Sequence, residues 1–199
     1  MPALFPSREH TADSAVSRAA LRREKLAARL ALDANTHAAL SARIEAHLAT
    51  LLLPRPPQVL AFCAPMRGEF DARSLATLLL ERGWRAAMPT VEAADAPMSF
   101  RTWTPSSAMD VDLHGIPIPA NGSNIVPDIV LLPLVAFDAQ GFRLGYGGGY
   151  FDRTLAALVP RPLAIGVGFE LARVADIRPQ THDLRLDAVV TEAGIVRHP

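Results

Sequence analysis

Between Phe137 and Arg153 the chain reads Phe-Asp-Ala-Gln-Gly-Phe-Arg-Leu-Gly-Tyr-Gly-Gly-Gly-Tyr-Phe-Asp-Arg. Gly145, Gly147, Gly148 and Gly149 crowd between an apolar, strand-like run and a helix-like run. Such glycines let backbone N–H groups converge on an anion. A helix starting just beyond them adds the positive end of its dipole. Arg143, ahead of the glycines, offers forked donors to phosphate oxygens. Asp152, just after them, suits Mg²⁺, which takes carboxylate and phosphate oxygens. The segment therefore reads as a cradle for a nucleotide triphosphate and its metal. It is not a Walker A loop, because no Gly-Lys-Ser/Thr follows, and Tyr150 stands where a dinucleotide fingerprint needs its third glycine. The plainer alternative is a flexible turn with solvated flanks. Two arginines, an aspartate and an aromatic around the turn weigh against it.

Other chemistry-bearing residues are scattered. Arg18 and Arg22 lie four apart on one helical face. They are a solvated face unless that helix folds over the glycine loop, where they would clamp phosphate. Glu69 follows Gly68 in a loop, where a carboxylate accepts hydrogen bonds from ligand N–H groups or merely stands near a helix start. Asp187 directly precedes Ala188-Val189-Val190 and with Asp152 would complete a two-carboxylate magnesium site; Asp183 reads as a turn or cap. Cys63 sits in an apolar run and reads as a small buried hydrophobe rather than a nucleophile. The six histidines lack ligand spacing, and one cysteine cannot build a zinc cluster.

The elements that must position these residues alternate. A helix is expected over Ser17–Leu32, capped by Ser17 and ended by Asp33-Ala34-Asn35, and a second over Thr36–Leu53, stopped by Pro54. Val59–Ala64 reads as a buried strand, and Asp71 as the cap of a helix ending near Gly83. Trp84–Met88 and Met98–Trp103 are strand candidates, and residues 104–127 are mostly loop. Ile129–Val135 and Leu163–Phe169 are continuously apolar, as in central parallel strands covered on both faces. A helix over Tyr150–Leu158 and a short strand over Ala188–Thr191 follow. This alternation predicts an α/β fold, a three-layer α/β/α sandwich with a mostly parallel central sheet. Ligands then sit beyond the carboxyl ends of the strands, where the glycine loop, the Met66–Glu69 loop and the segment after Phe169 emerge.

With 199 residues, half of them apolar, the chain is long enough for a proper core. Residues 17–199 are expected to form a single domain, and residues 1–16, which lack signal-peptide character, a poorly ordered extension. The formal charge is zero, so no basic surplus points to nucleic acid or an anionic membrane. No apolar run approaches a membrane span. A lone cysteine suits a reducing, cytoplasmic compartment.

Together these segments resemble the 5-formyltetrahydrofolate cyclo-ligase family, over about Ser17 to Ile195. The resemblance is strongest from Phe137 to Arg153. It extends to Arg18…Leu21-Arg22, where the family more often has lysine at the first position, and to Met66-Arg67-Gly68-Glu69-Phe70-Asp71. Weaker blocks are Phe100-Arg101…Trp103 and Gly115–Pro119, and His182-Asp183…Asp187–Glu192 closes the match. The resemblance implies a ligase of one-carbon metabolism that converts 5-formyltetrahydrofolate and MgATP into 5,10-methenyltetrahydrofolate, ADP and phosphate. It implies ATP contacts at Arg18, Arg22, Arg143, Leu144, Gly145, Tyr146, Gly147, Gly148, Gly149, Tyr150 and Phe151. Folate contacts fall at Met66, Glu69, Trp103 and Tyr150, and Mg²⁺ at Asp152 and Asp187; Arg143, Tyr150 and Asp152 carry the chemistry. The expected partners are these small molecules, in a monomer or weak dimer. Two other readings stand: an ATP-independent α/β isomerase or transferase acting on sugar phosphates or coenzyme A esters, and a non-catalytic folate- or nucleotide-binding relative. The first lacks a suitable lysine, since Lys25 is alone of its type; the second should have lost Asp152, Glu69 or the arginines.

Overall fold

The computed structural model describes residues 8–198, with side chains from Arg18 onward. Its centre is a seven-stranded sheet built from β1 (Val59–Ala61), β2 (Arg85–Thr90), β3 (Ser99–Trp103), β6 (Ile129–Pro133), β9 (Leu163–Val167), β10 (Ala188–Thr191) and β11 (Gly194–Arg197). Their spatial order is β11-β10-β9-β6-β1-β2-β3. The five inner strands are parallel to one another, and antiparallel β3 and β11 close the two edges.

Strand periodicity divides the core. Leu60, Phe62, Ala86, Met88, Ile129, Leu131, Ile165, Val167, Ala188 and Val190 face one way. There they meet Ile44, Leu48 and Leu52 of α2 (Ala34–Leu52) and Leu75, Ala76 and Leu79 of α3 (Arg73–Leu80). The alternate residues Ala61, Ala87, Val130, Leu132, Ala164 and Val189 face the other way, toward Leu155 of α4 (Tyr150–Ala157) and Phe137. Apolar side chains on both faces of each central strand are what the unbroken runs at 129–135 and 163–169 require. The expected three-layer α/β/α sandwich is the observed one.

Several boundaries differ from the sequence expectation. The first helix, α1, runs Arg8–Leu30, so Ser17 lies inside it and cannot be its cap. Of the extension expected over residues 1–16, residues 1–7 lie outside the described part. Asp33 opens α2 instead of closing α1: its carboxylate accepts from the amides of Asn35 and Thr36. Asp71 accepts from the Arg73 amide, although Ala72 is the cap position of α3. Within residues 104–127, expected to be mostly loop, β4 (Met109–Val111) and β5 (Pro117–Pro119) form a two-stranded ribbon. Its two prolines obscured it; a ribbon edge tolerates them because it needs no ladder donor there.

A second ribbon positions the glycine loop. β7 (Ala136–Phe137) and β8 (Arg143–Leu144) pair antiparallel just beyond the carboxyl end of β6. Buried Asp138 organises the turn between them by accepting from the amides of Gln140, Phe142 and Ile177. Leu21 of α1 packs on Ala136, Leu144 and Ile177, so α1 lies against this ribbon.

Candidate active site

The glycine loop, residues 145–149, links β8 to α4. Gly149 is the cap residue of α4 at φ 65°, and Gly147 has φ 106°; both are backbone conformations that disfavour a side chain. A Cβ on Gly147 would stand 3.6 Å from Arg22 Cζ, so the guanidinium of α1 lies directly over the loop. Arg22 Nε donates to the Gly145 carbonyl at 2.8 Å. Folding α1 over the glycines is the condition on which Arg18 and Arg22 could act as a clamp, and that condition is met.

Arg18 is buried and donates to both oxygens of Asp183, at 2.6 and 3.2 Å, and to the Arg178 carbonyl. Burial works to raise the Asp183 pKa, but the bonds from Arg18 and the Gln180 amide hold it below the ordinary carboxylate range. Arg22 is shifted down by desolvation and by neighbouring Arg18, with Asp183 opposing. Arg143 is buried and pairs with Asp152 at 3.3 Å, and its guanidinium lies over the Phe151 ring at 5.4 Å. Desolvation pulls its pKa down, and the charges of Asp152 and Asp183 push it back. Its Nε is buried and has no partner among the described residues.

Glu69 enters from the opposite side. The Met66–Glu69 turn places Arg67 and Gly68 at positive φ, 47° and 73°. Glu69 Oε2 accepts from the Met66 amide at 2.9 Å, and Oε1 accepts from the Tyr146 hydroxyl at 2.6 Å. That hydroxyl in turn accepts from Arg29 Nη2 at 2.6 Å, while Arg29 Nη1 and Nε hold the Leu134 and Arg67 carbonyls. Burial pushes the Glu69 carboxyl above its ordinary value, with the Tyr146 and Met66 hydrogen bonds and Arg29 opposing. One tyrosine on the glycine loop thus ties the carboxylate to α1. Arg22 and Glu69 both attach to the glycine loop, and Asp152, just after it, pairs with Arg143 just before it.

Tyr150, half-buried at the start of α4, packs one face under the Arg153 guanidinium at 4.8 Å. Trp103 is buried edge-on to Phe62. It lines a recess of about 960 Å³ with Ala64, Pro65, Met88, Met109 and Pro117; Met66, half-buried in its own turn, is not part of that lining. The glycine loop does not line that recess. Leu144 is fully buried against Leu21, and its carbonyl accepts from the Val135 amide, so its side chain anchors the loop from within the core.

Asp187 is not brought to Asp152. Its carboxylate accepts twice from Arg161 Nη1 at 2.9 Å and once from the Ala164 amide at 2.6 Å. These contacts lie at the starts of β9 and β10, the amino ends of the parallel strands. Asp183 is the carboxylate that reaches the cationic cluster, whereas the sequence reading made it a turn residue. Asp152 accepts from the Leu184 amide at 3.1 Å, one residue away from Asp183. Among the described residues no group of three or more His, Cys, Asp or Glu side chains could hold a metal unaided. Arg29 was also missed, yet it had a signal: with Arg18 and Arg22 it continues one helical face at i, i+4 and i+11.

A sequence profile described as the 5-formyltetrahydrofolate cyclo-ligase family matches residues 14–192. The chain belongs to the 5-formyltetrahydrofolate cyclo-ligase family. It is thus an enzyme of the ligase class. It is 30% identical over 158 residues to the 5-formyltetrahydrofolate cyclo-ligase of Escherichia coli K12, covering 74% of this chain and 87% of that one. To the Mycolicibacterium smegmatis cyclo-ligase it is 32% identical over 143 residues, 66% of this chain and 73% of the relative. The solved 5,10-methenyltetrahydrofolate synthetase of Aquifex aeolicus superposes with a TM-score of 0.78 at 28% identity, covering 90% of this chain and 92% of that one. The Mycoplasma pneumoniae synthetase gives 0.72 at 26% identity, over 88% and 98%. No helix among the described residues is long and apolar enough to cross a membrane.

Proposed function

We infer that this cyclo-ligase closes the ring of 5-formyltetrahydrofolate at the expense of ATP, on the surface formed by the glycine loop, α1 and Glu69. The observation that carries the reading is Tyr146: its hydroxyl joins the Glu69 carboxylate to the same loop on which Arg22 and Arg143 converge. A site for a polyphosphate and a site for a hydrogen-bonding heterocycle are therefore neighbours.

The triphosphate would lie along the amides of residues 145–149, with Arg18, Arg22 and Arg143 neutralising its charge. The Arg22 guanidinium lying over Gly147 supports that fit. Mg²⁺ would be held by Asp152; Asp183, one residue from the amide that Asp152 accepts, would serve as a second carboxylate once it released Arg18, in place of Asp187. With so few protein carboxylates, phosphate oxygens and water would complete its shell, as Mg²⁺ prefers. Bound there, it would supply charge neutralisation at the transferring phosphoryl group. The Glu69 carboxylate would accept from the N–H groups of the pteridine. The apolar walls at Met88 and Trp103 would suit the aryl portion of the folate.

The formyl oxygen is a poor leaving group until it is phosphorylated. It attacks the γ-phosphorus, ADP leaves, and the formyl carbon becomes electrophilic. N10 then attacks that carbon, its proton passes to solvent, and the C–O bond breaks to release phosphate. The residues orient both substrates and offset charge; neither step requires a protein nucleophile. Two separate substrate regions meeting at one tyrosine favour this reading over an ATP-independent isomerase or a non-catalytic binder.

The test is absorbance of the methenyl product in the near ultraviolet. Product should form only when 5-formyltetrahydrofolate, ATP and Mg²⁺ are all present. Absence of product with all three in excess would overturn the reading.

A further inference from the structure

The β4–β5 ribbon has no role in the chemistry above, yet its turn reaches the glycine-loop helix. His114, at that turn, makes a 2.8 Å hydrogen bond between Nε2 and the Tyr150 hydroxyl. The two rings also pack edge to face, with centroids 5.2 Å apart. Tyr150 is thereby held on two sides, since the Arg153 guanidinium covers its ring at 4.8 Å. Arg153 itself is tied back to the loop through the Gly148 carbonyl at 2.8 Å.

The turn that presents His114 is built for the purpose. Asp112 Oδ1 accepts from the amides of His114 and Ile116, at 2.8 and 3.0 Å. The Gly115 amide closes onto the Asp112 carbonyl, with Gly115 at φ 73°. An aspartate satisfying two amides in this way fixes a turn that the backbone alone leaves loose. The far end of the ribbon is anchored: Ile118 and Pro119 are buried, and Arg101 Nη1 donates to the Pro119 carbonyl. Met109 and Pro117 of the ribbon line the recess that also contains Trp103. The ribbon therefore bridges the recess and the glycine loop.

We propose that His114 is a positioning residue: it latches the β4–β5 ribbon onto Tyr150 and so holds Tyr150 and the ribbon over the reduced folate. The proposal rests on the reading that Tyr150 stands where folate and nucleotide meet. Either ring tautomer serves, because the tyrosine hydroxyl can donate to or accept from Nε2. The nucleotide is held by other groups, namely the loop amides and Arg18, Arg22 and Arg143, so the latch acts on the folate side.

The experiment compares His114→Ala with His114→Gln, whose side-chain amide can stand in for Nε2, and crosses each with Tyr150→Phe. In His114→Ala, the KM for 5-formyltetrahydrofolate should rise about threefold to tenfold, the range of one net hydrogen bond. The KM for ATP and kcat should stay within about twofold. His114→Gln should recover most of the loss, and in the Tyr150→Phe background His114→Ala should add little further. Amide exchange over residues 109–119 of the ligand-free protein should quicken in His114→Ala and not in His114→Gln, which reads the latch without turnover. Unchanged folate KM, or unchanged exchange in His114→Ala, would overturn the proposal. So would an equal rise in both KM values. Exchange that responds as expected in a protein forming no methenyl product would support the latch and overturn the cyclo-ligase assignment of the site.

Discussion

Tyr146→Phe isolates the joint between the two halves of the site. The substitution keeps the ring, and with it the Arg67 guanidinium 5.7 Å from the centroid. It removes a hydroxyl that donates to Glu69 Oε1 and accepts from Arg29 Nη2, each at 2.6 Å. Hydrogen bonds to charged groups contribute about 1.5–3 kcal/mol each, so two would cost roughly 3–6 kcal/mol if nothing adjusted. Something does adjust. Arg29 Nη2 and Glu69 Oε1 already stand 3.7 Å apart and can close to a direct ion pair. Both side chains are buried, so that pair is poorly screened and recovers about half the loss or more. The net expectation is about 2 kcal/mol. For a chain of this size that lowers Tm by about 4–8 °C, at about 2–4 °C per kcal/mol. Thermal unfolding followed by circular dichroism measures it. A second readout follows from charge. The Tyr146 hydrogen bond opposes the upward shift of the Glu69 carboxyl. Without it Glu69 protonates at higher pH, and the folate KM should begin to climb at a higher pH than in the parent. A Tm within about 1 °C of the parent, together with an unchanged pH profile, would refute the joint.

Other expectations follow from single contacts. Gly149→Ala places a side chain at φ 65°, which costs about 1–2 kcal/mol, and it should raise the KM for ATP more than that for folate in steady-state assays. Asp183→Asn should abolish most Mg²⁺-dependent turnover, whereas Asp187→Asn, engaged by Arg161 and the Ala164 amide, should lower thermal stability with kcat nearly intact; the reverse ranking would favour Asp187 as the metal ligand. The Arg18–Asp183 pair has a pH signature, because the folded carboxylate has a lowered pKa. Its stabilisation is present above the ordinary aspartate pKa and lost as pH falls through the lower folded value. Acid unfolding of Asp183→Asn should accordingly show a shallower loss of stability below about pH 4 than the parent. Glu69→Gln should weaken folate binding in calorimetry while leaving ATP affinity within about twofold; equal loss of both would contradict the division of the site.

The glycine loop and its flanks were legible because their chemistry is local. Clustered glycines, Arg143 and Asp152 sit within a few positions, and the helix after them begins at Tyr150 as its pattern requires. The central strands were legible because burial on both faces leaves an unbroken apolar run. Local sequence separates Asp187, at the strand start, from Asp183, in the turn before it, but it does not show which long-range partner reaches each. Arg18 reaches one across 165 positions and Arg161 the other across 26. His114 was one of six scattered histidines until the ribbon turn set it against Tyr150.

Local spacing alone determined that this chain carries a glycine-rich loop between strand and helix in an α/β sheet, because periodicity and glycine clustering are properties of neighbouring residues. Only the tertiary structure decided that Arg18 pairs with Asp183, that Arg29 and Tyr146 hold Glu69 in place, and that a distant ribbon meets Tyr150. Those facts depend on where α1 and the ribbon cross the sheet. Packing sets such crossings, and packing couples residues with no sequence relation to one another.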